Sequence, residues 1–186
     1  MKPLDQQAVQ WRNYLALVAR TRVVSELRGK ADESDLIQQT LLEAHQGKAA
    51  FKGTSDAEYA AWLRQILARN LANLQRDFDR HKRNVFRERS MYAEIEKARS
   101  RIECLAANQS SIGTRIDRAH QAVRLANAMA KLPEDQRLAI ELRHLQGLTL
   151  KQVAENLDRS SAAVAGLLHR GLTRLRSLLN DAAAGE

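Results

Sequence analysis

The sequence contains little of what disulfide-bonded, β-rich and membrane-spanning proteins require. Its 186 residues include one cysteine and two prolines, and aromatic residues make up only 4%. A single cysteine excludes a disulfide framework and a cysteine-based zinc site. No uncharged apolar run reaches the roughly 18 residues of a transmembrane helix, and the first residues lack the apolar core of a secretory signal. We therefore expect a cytoplasmic protein with no membrane insertion.

Alanine, leucine and basic side chains are abundant instead. Hydrophobic residues make up 44% of the chain, and many of them are Ala and Leu. That composition favours helices over sheets, so we predict an all-α fold. The formal net charge is +8, with a pI near 10.1. An excess of this size suggests a polyanionic partner, although charge alone does not identify it.

Residues with catalytic chemistry form no recognisable pattern. No Ser/His/Asp signature is present, and the glycine-rich order of a phosphate loop is absent. We therefore predict no enzymatic activity, no cofactor and no metal site. The five histidines are dispersed, with no pair at the i, i+4 spacing of metal ligands: His45, His81, His120, His144 and His169.

Residues 132–179 are predicted to form three short helices with recognisable ends. Pro133 and the two acids after it suit a first helical turn. Gly147 can end that helix in the left-handed conformation. Thr149 and Gln152 have the spacing of a capping box, which would open the second helix.

The third helix follows a short turn at 158–159 and carries most of the basic side chains of this region. Ser160 or Ser161 is expected to cap it, and no acid occurs between residues 159 and 180. A solvated basic face is one interpretation. Two short helices joined by a tight turn favour a DNA-binding helix-turn-helix instead. The side chains predicted to face inward are Val164, Leu168, Leu172, Leu175 and Leu179.

The first 83 residues predict three further helices. The first spans residues 7–28, and Ser34 is expected to cap the second. Ser55 and Glu58 have capping-box spacing at the start of the third, which spans 56–83. Beyond it, residues 84–105 and 116–131 also favour helix, whereas 108–114 are predicted to be a flexible break.

Two features of this half have open interpretations. Phe51 lies in a loop beside Lys52 and Gly53, where it either fills the core or meets unstacked bases. Trp62 flanks the apolar stripe of the third helix and suits either a core or an exposed position. The second helix has a polar face that is either solvated or a partner surface: Asp35, Gln38, Gln39 and Glu43.

Taken together, these motifs resemble bacterial RNA polymerase sigma factors of the sigma-70 family, extracytoplasmic-function type. Residues 132–179 resemble region four through LPEDQR, GLTLKQVAENL and AVAGLLHRGLTRLR. The N-terminal half resembles region two through Asp35-Leu-Ile-Gln38-Gln39, Phe51-Lys-Gly53 and Trp62-Leu63-Arg-Gln-Ile66. The two signatures in this order are far more specific together than either is alone.

The resemblance implies a region-two-like domain at 7–83, a linker at 84–115 and a region-four-like helix-turn-helix domain at 116–182. It implies that the protein binds core RNA polymerase, recognises the −10 and −35 promoter elements and promotes strand opening. An anti-sigma factor stays open as a further partner. The implied polymerase contacts are Asp35, Gln38, Gln39 and Glu43. The implied −10 contacts are Phe51, Lys52, Gly53, Trp62, Arg64, Gln65, Arg69 and Asn70. The implied −35 contacts are Arg159, Ser160, Ser161, Ala162, Ala165, Gly166, His169, Arg170 and Arg174.

Some positions depart from the family's pattern. Gln39 stands where a carboxylate is usual, and Arg69 stands where the family has asparagine, with Asn70 one residue later. Ala165 and Gly166 replace the polar readers that are common in the recognition helix. The −35 preference is therefore not predicted, and base contacts are expected to shift toward the start of that helix.

Two other classes of protein remain open. One is a helix-turn-helix regulator whose N-terminal domain senses or dimerises without binding polymerase. The other is an interaction scaffold with an incidental basic surface. Promoter-specific transcription by core polymerase distinguishes a sigma factor from both.

Overall fold

Helices and the short turns between them account for the part of the chain that the structure describes. The computed structural model describes residues 4–22, 33–78, 86–109 and 117–184. Within them there is no strand, and the predicted all-α fold is confirmed. None of the described helices is both long enough and apolar enough to cross a membrane. The helices are α1 Leu4–Arg22, α2 Glu33–Gln46, α3 Asp56–Phe78, α4 Phe86–Gln109, α5 Asp117–Ala130, α6 Glu134–Ile140, α7 Leu150–Leu157 and α8 Ser161–Ala184.

The chain divides into two units, Met1–Arg99 and Ser100–Glu186, each with its own internal packing. The division falls inside α4, in the segment 84–115 that we predicted to be a linker. The helix predicted within that segment is present, since residues 86–109 are helical. The flexible break predicted at 108–114 lies mostly outside the described residues. The predicted domain bounds stay predictions.

In the first unit, α1 and α2 pack against α3 and against each other. Apolar residues recur along each helix at the spacing of one face, and that face is buried. The predicted stripe of α3 is confirmed in the core at four positions, with Tyr59 and Leu74 half-buried. The largest core side chains of these helices are Tyr14, Leu15, Leu63, Leu67 and Leu71, with Leu36, Ile37 and Ile66 also buried.

Several helix ends differ from the prediction. α1 begins at Leu4, three residues before the predicted start, and its predicted end at Arg28 lies outside the described residues. α2 begins at Glu33, so Ser34 lies in the first turn and is not the cap. Glu33 accepts a 2.8 Å hydrogen bond from Nε of Arg20. A carboxylate also favours the positive end of a helix, which explains the earlier start. The segment predicted to extend α3 to residue 83 lies outside the described residues after Phe78.

Both predicted capping boxes are confirmed. At α3, the Glu58 carboxylate accepts from the backbone N–H of Ser55 at 3.0 Å, and Ser55 Oγ accepts from the Glu58 N–H at 3.3 Å. At α7, Thr149 and Gln152 make the same reciprocal pair. These bonds satisfy backbone donors that a helix start otherwise leaves unpaired.

In the second unit, α6 starts and ends differently from the prediction. Pro133 lies at the N-cap with an extended ψ of 144°, so Glu134, and not Pro133, is the first helical residue. After Ile140 the helix widens into a π-turn, Glu141–Leu145, in which the N–H of Gln146 donates to the carbonyl of Glu141. The extra residue of this turn brings the chain to its predicted end at Gly147, which has φ +78°.

An apolar cluster joins the π-turn, α7 and α8. Its buried members are Leu142, Val153, Ala154 and Val164. Of the five side chains predicted to face inward along α8, Val164, Leu175 and Leu179 are buried, while Leu168 and Leu172 are half-buried. The half-buried leucines packed on the cluster are Leu148, Leu150, Leu157 and Leu168.

Helices α6 and α8 approach each other most closely at Gly171. A Cβ atom at this position would lie 3.0 Å from Cδ1 of Ile140 and 3.2 Å from Cβ of Gln136. Gly171 is buried, and there is no room for a side chain between the two helices. The missing side chain therefore sets the distance between α6 and α8.

We predict that Gly171→Leu destabilises the second unit, whereas Gly166→Leu in the same helix does so much less. Overpacking at a close helix crossing costs about 1–3 kcal/mol. At Gly166 a new side chain meets the end of Arg170, Nη1 at 3.2 Å, which is mobile and can move away. Leucine also gains helix propensity over glycine at both sites. Thermal unfolding followed by circular dichroism measures both variants, and equal melting temperatures would contradict the close approach.

Candidate nucleic-acid interface

The turn between α7 and α8 is fixed by its own backbone. Asp158 adopts the left-handed conformation, φ 51° and ψ 51°, which aspartate tolerates better than most residues. The next N–H, of Arg159, donates to the carbonyl of Ala154 at 3.0 Å. Ser160 Oγ then accepts from the N–H of Ala163 at 3.2 Å, so Ser160 is the cap of α8. This geometry is a helix-turn-helix, with α8 as the second helix.

The exposed start of α8 carries only small side chains. Ser161, Ala162, Ala163 and Ala165 are exposed, whereas Val164 between them is buried in the apolar cluster. A helix whose outer face is this narrow can approach the floor of a major groove, which is about 12 Å wide in B-DNA.

Basic side chains follow along the same helix. His169, Arg170 and Arg174 are exposed. The Arg170 guanidinium folds back toward the helix start and lies over Gly166, 3.2 Å from where a Cβ would be. Arg159 is exposed before the helix and forms an ion pair with Asp135, Nη2 to Oδ2 at 3.3 Å.

The structure thus places all nine predicted −35 residues on the turn and along α8. Eight of them are exposed, and Gly166 is half-buried. Their role in binding DNA stays a prediction. Sequence reasoning missed Asp135, because its partner lies 24 positions along the chain.

In the first unit, four aromatic rings form a half-buried layer beside the loop that follows α2. Phe51 stacks on Trp62 with ring centroids 5.0 Å apart and planes 24° apart. Tyr59 meets Phe51 edge-on at 5.3 Å and Trp11 at 5.1 Å. Burial raises the pKa of Tyr59. Phe51 and Trp62 are therefore neither core side chains nor fully exposed.

The loop that holds Phe51 is closed by Gly53 and Glu58. A Cβ on Gly53 would overlap the Phe51 ring and lie 2.9 Å from Cβ of Glu58, so only glycine fits. The Glu58 carboxylate accepts from the N–H of Thr54 at 2.9 Å and from the N–H and hydroxyl of Ser55. These bonds, first that from Thr54, lower the pKa of Glu58. Lys52 projects from this closed loop into solvent.

Two of the predicted −10 residues lie inside the unit. Arg64 is 6% exposed, and its Nε donates to Oε1 of Glu96 at 2.7 Å. Its Nη1 donates to the hydroxyl of Tyr14 at 2.8 Å. Asn70 is also buried and donates to Oγ1 of Thr40 at 3.2 Å. In this conformation neither side chain is available to DNA, whereas Gln65 and Arg69 are exposed.

The Arg64 cluster ties the first part of α4 to α1 and α3. Nε of Arg99 donates to Oε2 of Glu96 at 2.6 Å, so both carboxylate oxygens are paired. Burial raises the pKa of Glu96, but the hydrogen bonds and charges of Arg64 and Arg99 outweigh it and leave the pKa below its ordinary value. Burial likewise opposes the charge of Arg64, and Tyr14 and Glu96 restore it, so the pKa of Arg64 is raised.

The predicted polymerase face of α2 is exposed at Asp35, Gln38 and Gln39. Leu42 is 51% exposed at the next position of the same face, which sequence reasoning missed although the i, i+3, i+4, i+7 spacing contains it. Such an exposed leucine is common on protein surfaces, and here it adds apolar area to a polar face.

Glu43 links this face to the predicted −10 residues. Its carboxylate accepts from Gln39 at 2.8 Å and from Arg69 at 2.6 Å. Burial raises the pKa of Glu43, but these hydrogen bonds outweigh it, and the pKa lies below its ordinary value. One member of each predicted surface is therefore engaged with the other.

The architecture of the second unit defines it as a helix-turn-helix domain of the DNA-binding class. Residues 122–175 match the family model described as "Sigma-70, region 4". The match runs from α5 into α8 and covers the whole helix-turn-helix. This part of the chain is therefore a region 4 domain, which confirms the resemblance found in the sequence of that half.

One solved structure aligns with nearly the whole chain. It is titled "Cocrystal structure of the flagellar sigma/anti-sigma complex, Sigma-28/FlgM", and the alignment covers 97% of this chain and 99% of that one. The identity is 18% and the TM-score is 0.35, too low for the alignment to support a shared fold. The assignment of the second unit rests on the region 4 match alone.

We predict that Glu96→Gln destabilises the first unit in a pH-dependent way. Because the folded pKa of Glu96 lies below its ordinary value of 4.5, the stabilisation is complete above that pH and is lost as the pH falls through the folded pKa. The variant should lose about 1–3 kcal/mol at pH 7, the usual range for hydrogen bonds to charged groups. The difference from wild type should shrink below pH 4.5.

Thermal unfolding between pH 3 and pH 7 measures this difference. Glu94→Gln is the matched control, since it removes the same charge from the same helix and only an ion pair to the exposed Lys97. If both variants lose equal stability at every pH, the buried pair has no special role.

Proposed function

We propose that the protein is a sigma factor of the sigma-70 family, extracytoplasmic-function type, which binds core RNA polymerase and directs it to promoters. The observation that carries this proposal is the region 4 match on a helix-turn-helix with a small, exposed and acid-free helix start. It acts without a cofactor, is not an enzyme, and works in the cytoplasm.

At the −35 element, the start of α8 enters the major groove. Ser160 and Ser161 are the polar groups nearest to the base edges, and Ala162 and Ala165 allow close approach. Arg170 and Arg174 contact phosphates, which position the helix without reading sequence. This division suits a helix whose small residues come first and whose cations follow one to three turns later.

At the −10 element, the aromatic layer offers stacking surfaces to unpaired bases. Base–aromatic stacking contributes about 1–3 kcal/mol per base, enough to assist strand opening. Phe51, Trp62 and the exposed Lys52 lie together at this layer, with Gln65 and Arg69 exposed on α3. Because Arg64 and Asn70 are buried, they support this surface from inside and are not part of the proposed contact.

Polymerase binds the exposed face of α2, at Asp35, Gln38 and Gln39, with Leu42 as an apolar contact. Glu43 belongs to this face through its hydrogen bond to Gln39. Its second bond, to Arg69, couples polymerase docking to the position of a residue that faces the open strand. An anti-sigma protein that covers the same face would keep the factor inactive.

Promoter-specific transcription with purified core polymerase tests the proposal. Wild-type protein should start RNA synthesis at defined sites, and the Asp35→Ala/Gln38→Ala double variant should lower its affinity for core polymerase at least about tenfold, which corresponds to 1.4 kcal/mol. Asn180→Ala/Asp181→Ala is the matched control, because it also removes one amide and one acid from an exposed helix face. Duplex binding without any initiation would favour a helix-turn-helix regulator instead.

The −35 assignment has its own test in the salt dependence of duplex binding. Arg170→Ala should weaken binding and reduce the slope of log K against log salt by about 0.9, the value for one phosphate contact. Arg176→Ala removes the same charge six residues later, about one and two-thirds turns along α8 and on another side of it. Equal changes of slope in the two variants would argue against a defined DNA-facing side of α8.

A further inference from the structure

The ion pair between Asp135 and Arg159 joins an acid to a cation of the proposed DNA interface. The two charged atoms are 3.3 Å apart, and both side chains are more than half exposed. A single contact between exposed groups is weak and exchanges readily with other ions. The pair therefore modulates the charge of the interface and adds little to the stability of the unit.

Both partners are held in place by their backbones. Asp135 is in the first turn of α6, which is packed tightly on α8 around Gly171. Arg159 is fixed between the left-handed Asp158 and the cap Ser160. The carboxylate consequently stays beside Arg159 wherever α8 goes, and the charge of Arg159 is compensated while the protein is free.

A phosphate that approaches Arg159 must displace the carboxylate or remain close to it. Either event weakens the contact, and phosphate contacts are the main source of binding that does not depend on sequence. The loss falls on every duplex alike. A factor that must find few promoters among many other sites gains selectivity when such binding is weak.

We propose that Asp135 is a specificity determinant that lowers sequence-independent binding to duplex DNA by neutralising Arg159. This inference rests on the proposed function, because it assigns the turn before α8 to the DNA interface. It requires no contact between Asp135 and a base.

The test measures binding of the full chain to a fluorescent duplex of random sequence at about 50 mM salt, where charge effects are large. Asp135→Asn should bind about two- to fivefold more tightly than wild type, the range for an exposed ion pair. Its salt slope should be steeper by about 0.9. Glu134→Gln is the matched control, since it removes the same charge from the adjacent exposed residue and should have a smaller effect.

A double-mutant cycle identifies the partner. In the Arg159→Gln background, Asp135→Asn should no longer tighten binding, because the charge that it releases is absent. Equal effects of Asp135→Asn and Glu134→Gln, or an undiminished effect without Arg159, would overturn the inference. Thermal unfolding of each variant verifies that the second unit is folded.

The same assay distinguishes this inference from the function beneath it. If wild type binds the duplex and Asp135→Asn binds no better, the role of Asp135 is wrong and the interface stands. If wild type does not bind duplex DNA even at low salt, the interface fails and the role of Asp135 fails with it. Initiation with core polymerase reports separately on the sigma function.

Discussion

The direction in which α8 presents its first turn depends on packing behind it. Val164 is buried among the side chains of α7 and the π-turn, while the residues on either side of it are exposed. Gly171, two turns further along, lets α6 approach without a side chain between the helices. With both points held, α8 cannot rotate about its axis without exposing Val164 or separating α6. The small and basic residues therefore face solvent because the apolar ones have no other place.

The first unit uses a charged interaction for a comparable purpose. Arg64 is almost fully buried, and such a charge is tolerated only when its hydrogen-bonding groups are paired. Glu96 and Tyr14 provide partners from two other helices, so the pair specifies how α1, α3 and α4 come together. An apolar side chain could fill the same space, but it would not select Glu96 on α4 as its neighbour. The structural role of Arg64 also explains why its neighbour Gln65, and not Arg64, is available at the surface.

Sequence reasoning succeeded where the interaction is local. The Thr149–Gln152 and Ser55–Glu58 boxes span three residues each, and their side chains have few other options. Apolar periodicity identified the inward face of α8, because the spacing of one helix face is visible in the sequence. The positive φ at Gly147 followed from glycine's tolerance of that conformation.

It could not predict interactions between distant positions. Arg64 and Glu96 are 32 residues apart, and no local pattern distinguishes an arginine that is buried from one that binds DNA. The π-turn after Ile140 inserts a residue without any glycine or proline to mark it. The closeness of α6 and α8 at Gly171 is equally invisible, since a glycine within a helix is also compatible with an exposed position.

The two units would contribute to promoter binding through forces that respond differently to salt. In the second unit the proposed contacts are mainly cations on phosphates, whose contribution falls steeply as salt rises. In the first unit they are mainly aromatic surfaces, and stacking depends far less on ionic strength than a charge pair does. Raising the salt should therefore weaken anchoring on the duplex before it weakens capture of unpaired bases. A factor built this way needs polymerase to keep its second unit near the promoter, because the duplex contacts alone are the ones that ions displace first.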